Sequence, residues 1–253
     1  KGADIRIQMT ISFNEACFGA EKEVSLQKEE ECIRCAGSGA KSKKDISVCA
    51  KCGGKGVITS YQQTILGRMQ TQHECPTCRG SGKVIKNKCT ECGGAGKVRK
   101  TVAISVKIPE GINDNQQIRL PGKGHAGADG GPAGDLYVYI NVRPDDFFER
   151  EGNDIYCELP LTFSQAALGA DVEVPTIHGK VILTIPAGTQ SQTKFKLKNK
   201  GVKSLRSNNY GDQYVIVKVI TPKNLNQKQK ELLKELGTLE PNDSIFDKIK
   251  NVF

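Results

Sequence analysis

The chain of 253 residues has few aromatic side chains and no long apolar run. It contains no Trp, and aromatic residues make up only 6% of the sequence. This scarcity argues against a ligand cage lined with aromatic rings. A membrane-spanning helix needs about 20 consecutive, mostly apolar residues, and the sequence offers no such run. We therefore expect no membrane partner, and because no signal-peptide pattern is visible we expect a cytoplasmic protein.

Catalytic patterns are also scarce. No Ser/His/Asp set and no pair of carboxylates recurs with a spacing that would suit catalysis, so we expect a protein that is not an enzyme. The segment Gly122–Gly127 fits the GxGxxG fingerprint of dinucleotide-binding proteins. It leads towards a predicted strand at Leu136, however, and no helix opens after it. We interpret it as a glycine-rich loop.

Cysteine, by contrast, is present in an informative arrangement. Eight of the ten cysteines fall in four copies of the pattern Cys-x-x-Cys-x-Gly-x-Gly, which supply the pairs Cys32/Cys35, Cys49/Cys52, Cys75/Cys78 and Cys89/Cys92. Two thiolates three residues apart can hold one side of a tetrahedral metal ion, and the glycines let the backbone turn tightly around it. Four such half-sites make two closed four-cysteine sites, which are typical of structural zinc.

The sequence therefore predicts two Zn²⁺ ions per chain. The alternative is a disulfide framework, which needs an oxidising compartment and is typical of much smaller domains. Cys17 and Cys157 lie outside the pattern at apolar positions and are predicted to be buried thiols. His73 precedes Cys75 by two residues and could ligate metal. Because each site already has four thiolates, an exposed loop histidine is the favoured interpretation.

The segment between the second and third motifs indicates how the half-sites pair. Residues 57–73 mix β-branched and polar side chains around Gly67, as in a β-hairpin, and such a hairpin would bring Cys52 beside Cys75. The predicted sites are therefore nested, with Cys32, Cys35, Cys89 and Cys92 in one and Cys49, Cys52, Cys75 and Cys78 in the other. The sequential pairing, first motif with second and third with fourth, remains the alternative.

The formal net charge of +9 is concentrated in the cysteine-rich segment, residues 32–96. This segment holds eleven Lys/Arg against three Asp/Glu, a formal charge of +8. Eight thiolates on two Zn²⁺ ions would lower that charge to +4. A basic segment can indicate nucleic acid, but a charge of this size is a weak signal, so we regard a nucleic-acid partner as unsupported.

The rest of the chain contains an internal repeat. Ile108–Gly124 matches Ile185–Gly201, and Phe13–Ala20 matches Phe163–Ala170. The offset along the chain is constant within each pair of segments, but it is almost twice as large for the second pair. The first copy therefore contains an insertion, which coincides with the cysteine-rich segment. The chain is predicted to hold two related modules.

Each module is predicted to be mostly β. Apolar and polar residues alternate from Ile5 to Phe13, as in a half-buried strand, and Leu136–Val142 also has strand character. Short helices are predicted at Asn14–Phe18 and Ser164–Leu168, the latter with a Ser N-cap and a Gly stop. Small β-sandwiches are the simplest packing for such modules.

Two amphipathic runs follow Pro222. Leu225–Leu236 has helical spacing with a charged outer face, and a shorter run contains Ile245, Phe246, Ile249 and Phe253. We expect C-terminal helices that form a homodimer contact, with packing on their own module as the alternative. The predicted domains are residues 1–31 plus 97–143 (first module), 32–96 (zinc-binding insertion), 144–222 (second module) and 223–253 (dimerisation segment).

This organisation resembles the DnaJ family of J-domain co-chaperones. The likeness covers almost the whole chain and also rests on Gly134–Tyr137, Gln165–Gly169, Val174–Thr176 and Ile185–Thr189. The J domain, with its His-Pro-Asp signature, and the family's Gly/Phe-rich linker have no counterpart among these residues. The sequence is therefore interpreted as the family's client-binding and dimerisation region, and by itself it is not expected to stimulate a DnaK-type ATPase.

The resemblance implies a stress-response function: holding unfolded polypeptides, preventing their aggregation and delivering them to a DnaK-type chaperone. It also implies a client groove formed by apolar side chains of the first module, at Ile5, Val24, Leu26, Ile104 and Val138. The alternative is that these five residues are ordinary core. Two other function classes stay open, a zinc-dependent thiol-disulfide catalyst and a zinc-ribbon nucleic-acid binder.

Overall fold

The computed structural model of the protein describes residues 1–64 and 67–239, so the predicted run of Ile245, Phe246, Ile249 and Phe253 lies outside the described residues. The fold is mostly β, as predicted. The strands are β1 (Ile5–Ile11), β2 (Ala20–Glu31), β3 (Ile46–Val48), β4 (Val57–Thr64), β5 (Gly67–Glu74), β6 (Lys83–Ile85), β7 (Lys97–Ile108), β8 (Gln117–Leu120), β9 (Leu136–Val142), β10 (Glu149–Glu151), β11 (Asp154–Thr162), β12 (Ala170–Thr176), β13 (Gly179–Ile185), β14 (Lys194–Leu197) and β15 (Gln213–Ile220). The α-helices are α1 (Phe13–Phe18), α2 (Phe163–Leu168) and α3 (Gln227–Leu239).

Each module combines a larger sheet with a two-stranded one. In the first module the larger sheet has the order β1-β9-β8 and the smaller one is the antiparallel pair β2-β7. The second module has the order β10-β11-β15-β14 together with the pair β12-β13. The cysteine-rich segment adds the pairs β3-β6 and β4-β5.

The two modules share their strand register as well as their sequence pattern. Ile5 pairs with Leu136 in the parallel β1-β9 ladder, and Ile155 pairs with Gln213 in the parallel β11-β15 ladder. The repeat found in the sequence matches Ile5 to Ile155 and Leu136 to Gln213. The repeat is therefore a repeat of topology and of register, not only of residue types.

The insertion replaces a hairpin turn. In the second module Thr176 pairs with Gly179, so only residues 177–178 connect β12 to β13. At the matching place in the first module Leu26 pairs with Val102, and residues 27–101 follow between them. This longer connection accounts for the whole difference between the two sequence offsets. The cysteine-rich segment is thus carried on the extended tip of the β2-β7 hairpin.

Capping boxes define the short helices. The Gln165 N–H donates to the Thr162 hydroxyl (3.3 Å) and the Thr162 N–H donates to the Gln165 side chain (3.0 Å). The predicted Ser N-cap at Ser164 is therefore wrong, because the Thr-x-x-Gln box fixes the start of α2 two residues earlier. In the first module the strand ends at Ile11 and Phe13 opens α1, so the predicted strand alternation runs two residues too far.

Both modules have their own apolar core. In the first module β1, β7 and β9 contribute buried residues such as Ile11, Val106 and Ile140. In the second module Leu161 and Val217 hold comparable positions on β11 and β15. Helix α3 follows the second module with an exposed apolar stripe, and no helix among the described residues is both long and apolar enough to cross a lipid bilayer.

The chain forms two compact units. Among the described residues, the first consists of Lys1–Asp146 together with Val202–Tyr210, and the second of Phe147–Gly201 and residues 211–239. The cysteine-rich segment therefore belongs to the same unit as the first module. The segment Val202–Tyr210 comes from the second copy of the repeat, yet in the first unit Val202 is buried and the Lys203 ammonium pairs with the Glu110 carboxylate. Nothing in the repeat pattern indicates this placement.

Candidate functional site

The sulfur atoms of the eight motif cysteines gather in two groups of four. The outer group contains Cys32, Cys35, Cys89 and Cys92, and the inner group contains Cys49, Cys52, Cys75 and Cys78. Within each group every sulfur lies within 4.8 Å of the other three. The antiparallel β4-β5 hairpin produces this nesting, because its Val57–Glu74 pair returns the chain to the end of the second motif.

Backbone hydrogen bonds tie together the two motifs of each group. In the outer group the Cys32 N–H donates to the Gly96 carbonyl (3.0 Å) and the Cys89 N–H donates to the Gly39 carbonyl (2.9 Å). The inner group repeats this reciprocal pattern. Each site is therefore a pair of like half-sites related by approximate twofold symmetry.

The last glycine of a motif is required by this close approach. Gly39 and Gly96 have φ of +71° and +72°, and a Cβ on either one would collide with a backbone carbonyl of the partner motif. Glycine alone adopts this backbone without steric cost. The same two residues direct their N–H groups at sulfur, from Gly39 to Cys35 Sγ (3.3 Å) and from Gly96 to Cys92 Sγ (3.2 Å).

The spacing of the sulfurs fits a tetrahedral ion. Across motifs, the Sγ–Sγ distances are 3.9 Å and 3.7 Å in the outer group and 3.9 Å and 3.6 Å in the inner group. Four sulfurs bound about 2.3 Å from one Zn²⁺ lie about 3.8 Å from one another in a tetrahedron. A disulfide requires about 2.05 Å, and all ten cysteines are free thiols.

Burial and backbone dipoles act on these thiols in opposite directions. The N–H groups of Cys78 and Thr77 lower the pKa of Cys75 to about 6. Burial raises the pKa of Cys78 to about 11. Four thiolates this close together repel one another strongly, and a divalent cation bound between them would offset that repulsion. Four soft sulfur donors in a closed shell are the ligand set that zinc prefers.

The remaining candidate ligands and motifs lie elsewhere. His73 is exposed on β5 and belongs to neither sulfur group. Cys17 and Cys157 are buried, as predicted. Gly122–Gly127 is a loop between β8 and β9 that is followed by a single 3-10 turn at Ala128–Gly130, not by an α-helix.

The five apolar residues assigned to the groove converge in the core of the first module. Ile5, Val24 and Leu26 are half-buried and pack against it. Ile104 is 6% exposed and Val138 is fully buried, so these two could form only the floor of a groove. Further half-buried side chains pack against the same cluster, namely Ile7, Val102, Ile118 and Leu120.

Strand β2 gives this apolar surface an open edge over most of its length. β2 pairs only with β7 in a two-stranded sheet, so among the described residues its other edge carries no ladder. At Glu29 that edge is occupied by the loop, since the Glu29 N–H donates to His125 Nδ1 (3.0 Å) and the Ala126 N–H donates to the Glu29 carbonyl (2.8 Å). Val24 and Leu26 lie two residues apart on this strand and therefore share a face. An unpaired edge beside half-buried apolar side chains is the arrangement that accepts an added peptide strand.

Comparison with known proteins agrees with this architecture. Residues 5–222 match the family described as "DnaJ C terminal domain". Curated relatives named "Chaperone protein DnaJ" include those of Halalkalibacterium halodurans (52% identical over 259 residues), Bacillus velezensis (51% over 259) and Geobacillus kaustophilus (50% over 260). Each match covers the whole of this chain and 70%, 69% and 68% of the respective relative.

The chain belongs to the DnaJ family. Its match to the DnaJ C-terminal domain spans both β modules and the cysteine-rich segment between them. The relatives are chaperones by name, and the thiol-disulfide and nucleic-acid classes find no support in these comparisons.

Some residues that shape the site were not among those singled out from the sequence of this DnaJ-family chain. The half-buried Ile118 and Leu120 on β8 join the apolar cluster, and their alternation with exposed Gln117 and Arg119 could have indicated it. The sulfur-directed N–H groups come from the last glycine of each motif, and the constant spacing of that glycine was the available signal.

Proposed function

We propose that the protein is the client-binding region of a DnaJ-type co-chaperone. It holds unfolded polypeptides, prevents their aggregation and passes them to a DnaK-type ATPase chaperone. The observation that carries this proposal is the unpaired edge of β2 beside half-buried Val24 and Leu26, in a chain of the DnaJ family. An extended client segment adds backbone hydrogen bonds to that edge without a requirement for particular side chains, which suits promiscuous binding.

The client groove consists of Ile5, Val24, Leu26, Ile104 and Val138. In this assignment the three half-buried side chains contact the client, and Ile104 and Val138 support them from below. The second module is less apolar at the matching places, because Thr176 occupies the position of Leu26. Its hydroxyl donates to the Gly179 carbonyl at 2.7 Å, so this position closes the tight turn of the β12-β13 hairpin.

Two Zn²⁺ ions bind per chain, one in each cysteine group. Each ion, when bound, cross-links two backbone segments and so supplies folding free energy. The protein contributes the aligned thiols, the glycine turns and the N–H groups directed at sulfur. Since all four ligand positions are filled by cysteine, these sites are structural and the metal ions are not catalytic.

The proposed assembly is a cytoplasmic homodimer joined through the C-terminal segment. Helix α3 supports this, because its apolar residues Leu232, Leu233 and Leu236 are all exposed. Two client grooves on one dimer would gain affinity through avidity.

Suppression of aggregation tests the proposed function. The zinc-loaded protein is mixed with a chemically denatured test enzyme, and light scattering is followed after dilution of the denaturant. We expect scattering to fall as the protein approaches equimolar ratio, and an equal mass of an unrelated globular protein serves as control. Unchanged scattering at a severalfold molar excess would contradict the proposal.

A further inference from the structure

The middle of the cysteine-rich segment carries a concentration of cations. Six lysines lie on two short stretches of chain, and we name them the basic patch: Lys41, Lys43, Lys44, Lys83, Lys86 and Lys88. All six side chains are exposed. The only acidic residue within these stretches, 41–45 and 83–88, is Asp45.

Backbone pairing holds the two stretches side by side. The Lys41 N–H donates to the Asn87 carbonyl and the Lys86 N–H donates to the Asp45 carbonyl, both at 2.9 Å. Strands β3 and β6 continue the pairing, with Val48 opposite Lys83. Paired strands lie about 5 Å apart, so the backbones of the two lysine stretches are adjacent.

Asp45 joins the two stretches and offsets only one of the six positive charges of the patch. Its carboxylate accepts hydrogen bonds from the Ser42 N–H (3.0 Å), the Ser42 hydroxyl (2.6 Å) and the Asn87 side-chain amide (2.7 Å). These bonds, with the Ser42 side chain contributing most, lower the pKa of Asp45. The Asp45 carboxylate therefore links the two stretches through Ser42 and Asn87, and it forms no ion pair with a lysine of the patch.

The lysines of the patch lack ion-pair partners among the described residues. Among the described residues, no Lys of the basic patch forms an ion pair, whereas Lys22, Lys97, Lys180, Lys196 and Lys218 elsewhere each pair with a carboxylate. Occupied zinc-thiolate groups would add negative charge to the segment, but the segment as a whole would still carry +4. Mutual repulsion of clustered cations is a cost that an external anion would relieve.

We infer that the basic patch binds an acidic polypeptide segment of a partner protein. Lysine ammonium groups are compact point charges that can each pair with a single carboxylate. A single-stranded nucleic acid would need aromatic platforms for its bases, and Tyr61 is the only Phe, Trp or Tyr in residues 32–96. The patch is separate from the client groove, so this inference does not rest on the proposed client binding.

Fluorescence anisotropy of a labelled polyglutamate peptide tests the inference on the zinc-loaded full chain. In the patch variant Lys41, Lys43, Lys44 and Lys86 are each replaced by Gln; these are chosen because none adjoins a motif cysteine. The control variant replaces Lys107, Lys123, Lys194 and Lys223 by Gln, which removes the same charge from exposed positions elsewhere. Zinc content and circular dichroism verify that both variants are folded.

We expect the patch variant to bind polyglutamate about tenfold more weakly than the parent, because four exposed charge pairs are lost. The control should bind within about twofold of the parent, and affinity should fall as NaCl is raised. Equal losses in both variants would overturn the inference, as would the absence of measurable polyglutamate binding. A single-stranded oligonucleotide that outcompetes polyglutamate and loses its binding in the patch variant would assign the patch to nucleic acid instead.

Discussion

Each β module has one aspartate carboxylate, at matching positions of the internal repeat, that accepts hydrogen bonds from a basic side chain of the neighbouring strand. Asp135 accepts hydrogen bonds from the Arg119 guanidinium (2.8 Å) and the Gly122 N–H (2.9 Å). Asp212, its counterpart in the internal repeat, pairs with Lys196 at 2.7 Å. The Gly122 N–H, the Lys1 ammonium and the Arg119 guanidinium hold the pKa of the nearly buried Asp135 well below its usual range. Its ionised form is therefore part of the folded structure.

Asp135→Asn should lower the urea midpoint of the first unit at neutral pH, because hydrogen bonds to a charged group are lost. Because the pKa of Asp135 is lower in the folded than in the unfolded chain, its contribution is complete above about pH 4 and is lost as the pH falls further. Urea unfolding at pH 7 and pH 3 measures this, with exposed Asp146→Asn as control. A difference between Asp135→Asn and the parent that is equally large at both pH values would contradict it.

At the scale of single residues, the internal repeat predicts which positions are buried better than it predicts which side chains occupy them. Gln213 stands where the first module has Leu136, and it is fully buried. Its amide N–H₂ donates to the Pro175 carbonyl (2.9 Å) and towards Cys157 Sγ (3.3 Å), while its Oε1 accepts no hydrogen bond from any described residue. The repeat register indicates burial at this position. Only the three-dimensional neighbours explain how an amide is accommodated there.

Among structural elements, the cysteine groups were the most predictable. A hairpin between the second and third motifs forces nesting, and the hairpin was readable from its β-branched residues. The N-cap of α2 was less readable, because Ser164 and Thr162 are both good capping residues and only Gln165 decides between them. The sequence pattern predicts a strand at Val102–Ile108, whereas β7 begins at Lys97 because it pairs with β2 along its whole length, which local propensity does not reveal.

Metal analysis tests the two sites as elements. We expect two zinc ions per chain in the parent and about one in either Cys32→Ser or Cys49→Ser. The double variant Cys32→Ser/Cys89→Ser should retain about one ion, since both residues belong to the outer group. Cys32→Ser/Cys49→Ser should retain none. The reverse result for the two double variants would show that the motifs pair sequentially, and fewer than two ions in the parent would contradict the zinc assignment.

Chelation should loosen the cysteine-rich segment but leave the β modules folded. The insertion is joined to the first module by the extended β2-β7 pair, and both apolar cores lie outside it. Hydrogen exchange measured with and without chelator should therefore show lost protection at residues 32–96 and retained protection in β9 and β15. Loss of protection throughout the first module would show that the metal sites also hold the module together.

For the molecule as a whole, the two modules and the insertion could be derived from the offsets of the repeat. The placement of Val202–Tyr210 in the first unit could not, because it depends on contacts between segments that are distant in the sequence. Nor could the sequence decide which of the five groove residues are accessible. Strand alternation assigns each of them to the apolar face of its own sheet, whereas accessibility depends on how the two sheets pack against each other.

Dimerisation belongs to this scale as well. A chain that ends at Pro222 should be monomeric yet folded, because the last strand ends at Ile220. In the full chain, Leu232→Glu/Leu236→Glu should also yield monomer by charging the exposed apolar stripe of α3, whereas Lys234→Glu should not. Sedimentation equilibrium measures all four proteins. A monomeric parent at micromolar concentration would refute the proposed contact.

The central claim is that clients bind at the open edge of β2, and the affinity of an unfolded peptide for Leu26→Ser tests it most directly. Leu183→Ser on β13 is the matched control, since Leu183 is also half-buried but packs against the core of the second module. Both changes should cost less than the roughly 2–5 kcal/mol of a fully buried large-to-small substitution, so both variants should stay folded. Fluorescence anisotropy with a labelled apolar peptide should show about tenfold weaker binding for Leu26→Ser and unchanged binding for Leu183→Ser. Unchanged affinity in a folded Leu26→Ser protein, or an equal loss in both variants, would contradict the account and return Leu26 to the core.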